Sequence, residues 1–124
     1  MADSQDEVIE RLALGLSVTY SGLARVCLAL PVPIALATGP GVSNLEAIPA
    51  VRRIMEVLRD QPMPEEQHGN LYSVCAYWLA AMDVFTVLVA AEFHAARAMS
   101  IEACLMMADG CLLDIAGWAA SQDG

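Results

Sequence analysis

The stretch 71-LYSVCAYWLAAMDVFTVLVAAEF-93 decides how the chain is read, because from Val74 to Ala91 its only charge is Asp83. A helix that is apolar around most of its circumference is buried, either in a protein core or in a membrane. A membrane span needs about 20 apolar residues, and this stretch nearly supplies them. Asp83 would then lie near the bilayer centre, at a cost of roughly 2.5 to 3.5 kcal/mol. Apart from Arg97 the flanks also lack anchoring Lys and Arg. The stretch is therefore read as a soluble helix, covered by the other helices and by a second copy or a different protein.

This third helix is expected from about Asn70 to Ala98. At 100° per residue, Tyr72, Ala76, Leu79, Asp83, Thr86, Ala90, His94 and Arg97 share one narrow strip. A fourth helix is expected over about 101–120, with Ile101, Leu105, Ala108, Leu112, Ile115 and Ala119 as one apolar stripe. Beside it run Cys104, Cys111 and Trp118, then a small-residue strip of Ala103, Gly110 and Gly117, with Glu102 and Asp109 marking the water-facing side. Ser100 is an acceptable N-cap, but no Gly or Pro enforces a turn there. Met99–Ser100 thus reads either as a turn or as an interruption in one long helix. The charges on the first and fourth helices (Arg25, Glu102, Asp109, Asp114) argue against either of them as a second span.

Upstream, 61-QPMPEEQHGN-70 reads as a linker because it is polar and punctuated by Pro and Gly. Helix two is expected within 46–60, with Pro49 in its first turn, where a missing N–H costs nothing. Its buried face is Ile48, Val51, Ile54, Met55 and Leu58, while Arg52, Glu56 and Arg59 form an exposed stripe. Residues 31–43, PVPIALATGPGVS, are too rich in Pro and Gly for a helix. They read as an extended cover with a plain turn at Gly39–Gly41, since no Lys follows to make a phosphate loop. Helix one is expected over 5–29, opened by the Ser4/Glu7 capping-box pattern and carrying Val8, Leu12, Leu16, Leu23, Val26 and Leu30 at helical spacing. Gly15 and Gly22 would let another backbone come close. The expectation is one all-α domain over residues 1–124: a compact bundle of about four helices with a long C-terminal hairpin (71–124), dimeric.

Composition bounds the function. The 124 residues carry 15 Asp and Glu against six Arg and no Lys, for a net charge of -9. Direct nucleic-acid binding is excluded as a main role, because phosphate neutralisation needs clustered cations. The acids are uneven: residues 1–60 hold seven against five Arg, while 61–124 hold eight against Arg97 alone. A basic partner would be drawn to the second half. Cys27, Cys75, Cys104 and Cys111 are scattered without a CxxC, and the N-terminus lacks a basic signal-peptide start. They read as reduced, buried thiols of a cytoplasmic protein.

No catalytic, cofactor or metal pattern emerges, and the chain is not expected to be an enzyme. Asp83 and His94 share a face but lie about 16 Å apart along a helix, and His68 sits beside Glu65 and Glu66 as a solvated residue. The expected site is a protein-binding surface on helix three: Tyr72, Trp78, Met82, Asp83, Phe85, Val89 and Glu92. Its aromatic and thioether groups suit an adaptable groove for a partner helix. A small-molecule pocket near Asp83, Thr86 and His94, or membrane association, are the alternatives.

The stretch 71-LYSVCAYWLAAMDVFTVLVAAEFHAA-96, in a small acidic chain, resembles the small helical anti-activators of pseudomonad quorum sensing. That resemblance implies a stoichiometric regulator that binds the ligand-binding domain of a LuxR-type transcription activator and blocks its dimerisation.

Overall fold

The computed structural model describes residues 4–39 and 42–122. Four helices form an all-α bundle: α1 (Gln5–Ala29), α2 (Asn44–Val57), α3 (Glu65–Ala90) and α4 (Ala95–Ser121), with a 3-10 turn at Leu58–Asp60. Each boundary has a local cause. Ser4 caps α1 by accepting the Glu7 N–H at 3.1 Å, satisfying one of the unpaired donors of the first turn. Leu30 is extended ahead of Pro31 and ends the helix.

The 31–39 segment lays Val32 and Leu36 into the core, and the Tyr20 hydroxyl donates to the Ala37 carbonyl at 2.7 Å to hold it there. Gly39 has φ of 102°, a left-handed conformation that favours glycine. The Gly41 side of that turn lies outside the described residues.

Three boundaries differ from the sequence reading. Helix α2 begins at Asn44, so Pro49 is its sixth residue and not part of its first turn. The backbone bond it forgoes falls beside the exposed residues Asn44, Leu45 and Glu46. The linker is only Gln61–Pro64, because α3 starts at Glu65 and runs through Gly69 and Asn70. Glu65 and Glu66 complement the positive end of the helix dipole, and the His68 ring bonds the Gln61 carbonyl at 2.8 Å. The α3–α4 turn is Ala91–His94, which leaves Met99 and Ser100 inside α4. Neither Gly nor Pro makes that turn. Phe93 packs against the core, the His94 carbonyl accepts from Arg97 and Ala98, and Arg97 Nη1 donates to the Glu92 carbonyl at 3.0 Å.

Helix α3 is the central element, packed by α1, α2 and α4. It buries Leu71, Val74, Cys75, Trp78, Ala81, Met82 and Leu88. Trp78 is 3% exposed; its ring lies 5.5 Å from that of Tyr20, and its Nε1 donates to the Leu16 carbonyl at 3.0 Å. Helix α1 runs parallel to α4: Arg11 pairs with Glu102 at 3.0 Å, and Thr19 donates to Asp109 at 2.8 Å. Between these contacts and just beyond the second, the glycines of α1 admit leucines. A Cβ at Gly15 would stand 3.1 Å from Leu105 Cδ1, and one at Gly22 would stand 3.3 Å from Leu112 Cδ1.

Trp78→Ala removes the largest side chain at the α1–α3 contact together with its hydrogen bond. It should lower stability by about 3 to 5 kcal/mol, read as a shifted urea midpoint, and Trp78→Phe should recover much of that loss.

Candidate interaction surface

The structure divides the seven residues expected to bind a partner. Trp78 and Met82 are each 3% exposed and belong to the core, so neither is an anchor available on the surface. Phe85 is half-buried and packs against the same core. Tyr72, Asp83, Val89 and Glu92 are exposed. The strip through Tyr72, Asp83, Thr86 and Ala90 is the solvent side of α3, and Thr86 spends its hydroxyl on the Met82 carbonyl of its own helix at 2.9 Å. His94 and Arg97 leave that strip altogether, since the chain turns at Ala91–His94. Among the described residues no group of His, Cys, Asp and Glu could hold a metal ion.

Of the cavities formed by the described residues, two well-formed ones have neither Asp83 nor His94 in their walls. One, of about 250 Å³, lies between α1, α2 and α3, with Leu16, Tyr20, Trp78, Met82 and Phe85 in its apolar wall. The other is a groove of about 570 Å³ between α1 and α4, lined mainly by Val18, Gly22, Val26, Leu112 and Leu113, with Arg25 and Asp109 as its charges.

Through Val18 and Leu113 that groove opens onto an exposed apolar surface. On α4, Met99 (68% exposed), Met106 (74%) and Leu113 (76%) recur every seven residues, with Met107 beside them, and on α1 Leu14 (65%) and Val18 (57%) are exposed. Single exposed hydrophobes are ordinary, whereas contiguous rows mark interaction sites. Ala103, Gly110 and Gly117 are exposed next to this row, and a Cβ at Gly110 or Gly117 would meet nothing within 4 Å. The glycines of α1 are thus filled from within the chain, and those of α4 are open. Glu102 and Asp109 are exposed, on the water-facing side as expected, at the edge of α4 next to α1, where Arg11 and Thr19 hold their carboxylates.

Helix α3, expected to need cover from a second copy or a different protein, is the better enclosed helix of the hairpin. Helix α4 is the bare one: only 17% of its most apolar window is buried, against 33% for α3 and 44% for α1. By length and composition α1, α3 and α4 are each apolar enough to cross a membrane, with mean hydropathy of 1.5, 1.8 and 1.4 over those windows. Charges on α1 and α4 therefore do not remove them from that class, as the sequence reading had it. No family model matches the chain, and no curated protein or solved structure is significantly similar to it.

All four cysteines are free, with Cys27 and Cys75 buried and Cys104 and Cys111 half-buried. Burial pushes the Cys27 thiol up to about 11. It pushes Cys75 up as well, with a smaller contribution from Cys27. Cys111 is raised by its partial burial and then by Asp114. A thiol reagent applied to the native protein should label Cys104 and Cys111 well before Cys27 and Cys75. Above the ordinary thiol value of 9.0 the unfolded chain releases protons that the native chain retains. Stability should therefore be full below that pH and decline toward pH 11, by about 1.4 kcal/mol per pH unit for each buried thiol. Urea titrations across this range measure the slope.

Proposed function

We propose that this protein is a protein–protein interaction module that regulates a larger protein by stoichiometric binding, using the α1/α4 face to occupy a surface its partner needs. The observation that carries this reading is the uncovered row Met99, Met106 and Leu113 with its neighbours Leu14 and Val18. A solvated helix has no use for such a row, and flexible thioethers let it fit a partner's side chains. The rim supplies the sign of the partner. Glu102, Asp109 and Asp114 border the row, and the chain carries a net charge of -9. The partner that fits is an apolar helix flanked by Arg and Lys, with charge steering the encounter and apolar contact holding it.

The resemblance of residues 71–96 to quorum-sensing anti-activators supplies a specific candidate, the ligand-binding domain of a LuxR-type activator. Binding there would act by masking the activator's own dimerisation surface. Calorimetric titration of that domain tests the proposal. Met106→Glu and Leu113→Glu should each weaken binding at least tenfold, about 1.4 kcal/mol, with the helical circular dichroism unchanged. Tyr72→Ala, on the solvent side of α3, should leave affinity as it was. Unaltered affinity in both glutamate variants would remove the α4 face from the proposal, and a domain that does not bind at all would remove this partner.

A further inference from the structure

We infer that, in the absence of another partner, the outer face of α4 is covered by a second copy of the chain, the two α4 helices packing antiparallel about a two-fold axis level with Ala108. This rests on the reading of that face as an interaction surface and names what occupies it at rest.

Met99, Met106 and Leu113 alternate with Ala103, Gly110 and Gly117 at steps of four and three residues, the spacing of a coiled-coil seam. Neither row is used inside the chain, since the long side chains are exposed and the glycines are open. The midpoint of α4, Ala95–Ser121, is Ala108. A two-fold axis there overlaps the two helices along their whole length and sets Met99 opposite Gly117, Ala103 opposite Leu113, and Met106 opposite Gly110. Every layer then holds one long and one small side chain, so the layers have similar volume and the seam closes at native packing density. Parallel packing would instead set Met106 on Met106 and Gly110 on Gly110. Alternating wide and narrow layers would leave voids, each of which costs stability.

The face is also large enough. The 27 residues of α4 make it about 40 Å long, and with its α1 flank it is two helices, about 20 Å, wide, which matches the roughly 800 Å² that each partner contributes to a standard interface. Leu14 and Val18 extend the seam on its α1 flank and Met107 on the other. A lipid surface is a poorer occupant, because interfacial helices place Lys and Arg in number beside the apolar face, whereas this face has the acids Glu102, Asp109 and Asp114 against Arg25 and an Arg11 that is paired with Glu102.

The geometry has a consequence for regulation. Two copies of net charge -9 repel, so salt should tighten the homodimer by screening, while the same salt should weaken binding of a basic partner. Such a partner must displace the second copy, and the homodimer is then a resting form that withholds the binding face.

Light scattering on a size-exclusion column, on protein purified without detergent and across a concentration series, tests this. The wild type should run at twice 13.2 kDa, with its dissociation shifting to lower concentration as salt is raised. Gly110→Glu, at a position with open space around it, and Met106→Glu should both run at 13.2 kDa with unchanged circular dichroism. Ala80→Glu, an equal charge on the exposed side of α3, should remain dimeric. In a Cys104→Ser/Cys111→Ser background, a mixture of Met99→Cys and Gly117→Cys chains should form a covalent dimer on mild oxidation that neither forms alone. A monomeric wild type overturns the inference and leaves the proposed partner binding to its own titration. A dimer indifferent to both glutamates, or cross-linking of Met99→Cys with itself, overturns this seam. Recovery only in detergent overturns both the inference and the proposed function.

Discussion

The close seating of α1 against α4 governs the rest of the bundle. Gly15 and Gly22 let Leu105 and Leu112 approach to distances that side chains would obstruct, and the Arg11–Glu102 and Thr19–Asp109 contacts fix the two helices parallel and in register. With α1 held there, Leu16 is positioned to accept from Trp78, and Tyr20 to pack its ring at a tilt against the indole and reach the Ala37 carbonyl. The central helix α3 is thereby enclosed by α1 on one side, α4 on another and α2 on a third. The indole that looked available for a partner is consumed in making the domain.

The same seating explains why one surface stays bare. Helix α1 occupies a single side of α4, α2 packs on α3, and the 31–39 segment follows Tyr20 and the core. Among the described residues no element remains to lie over Met99, Met106 and Leu113. In a chain of 124 residues the supply of covering material is limited, and small domains bury a smaller fraction of their surface than large ones. An apolar row in water is unfavourable by roughly 25 cal/mol per Å², which is the drive for association at this face. The acids around it then bear on which polypeptide is accepted, because they favour a basic partner over a second acidic copy unless salt screens the repulsion.

The apolar stripe Ile101, Leu105, Ala108, Leu112, Ile115 and Ala119 was legible in the sequence and is the buried face of α4. So were the span of α1, its Ser4 cap and most of its core residues, because a clear polar side set the phase of the pattern. The α3–α4 turn was not legible. It depends on Phe93 entering the core and on Arg97 reaching the Glu92 carbonyl, contacts between residues that carry no turn signature. The early start of α3 had a signal, Pro64 followed by two glutamates, but Gly69 and Asn70 resembled a linker more strongly.

By itself the sequence determined the all-α class of the molecule, the span of α1 and the inner stripe of α4, because apolar spacing and capping residues are local properties of the chain. It also contained the seven-residue recurrence of Met99, Met106 and Leu113 and of Ala103, Gly110 and Gly117. Only the tertiary structure decided which of the other apolar sides are inside. Helix α3 is apolar nearly all round, so its periodicity does not rank its faces; on α4 periodicity marked the inner stripe but did not say whether a neighbour covers the outer row. Trp78 went to the core because α1 lies over it, and Met106 went to the surface because nothing in the described chain does.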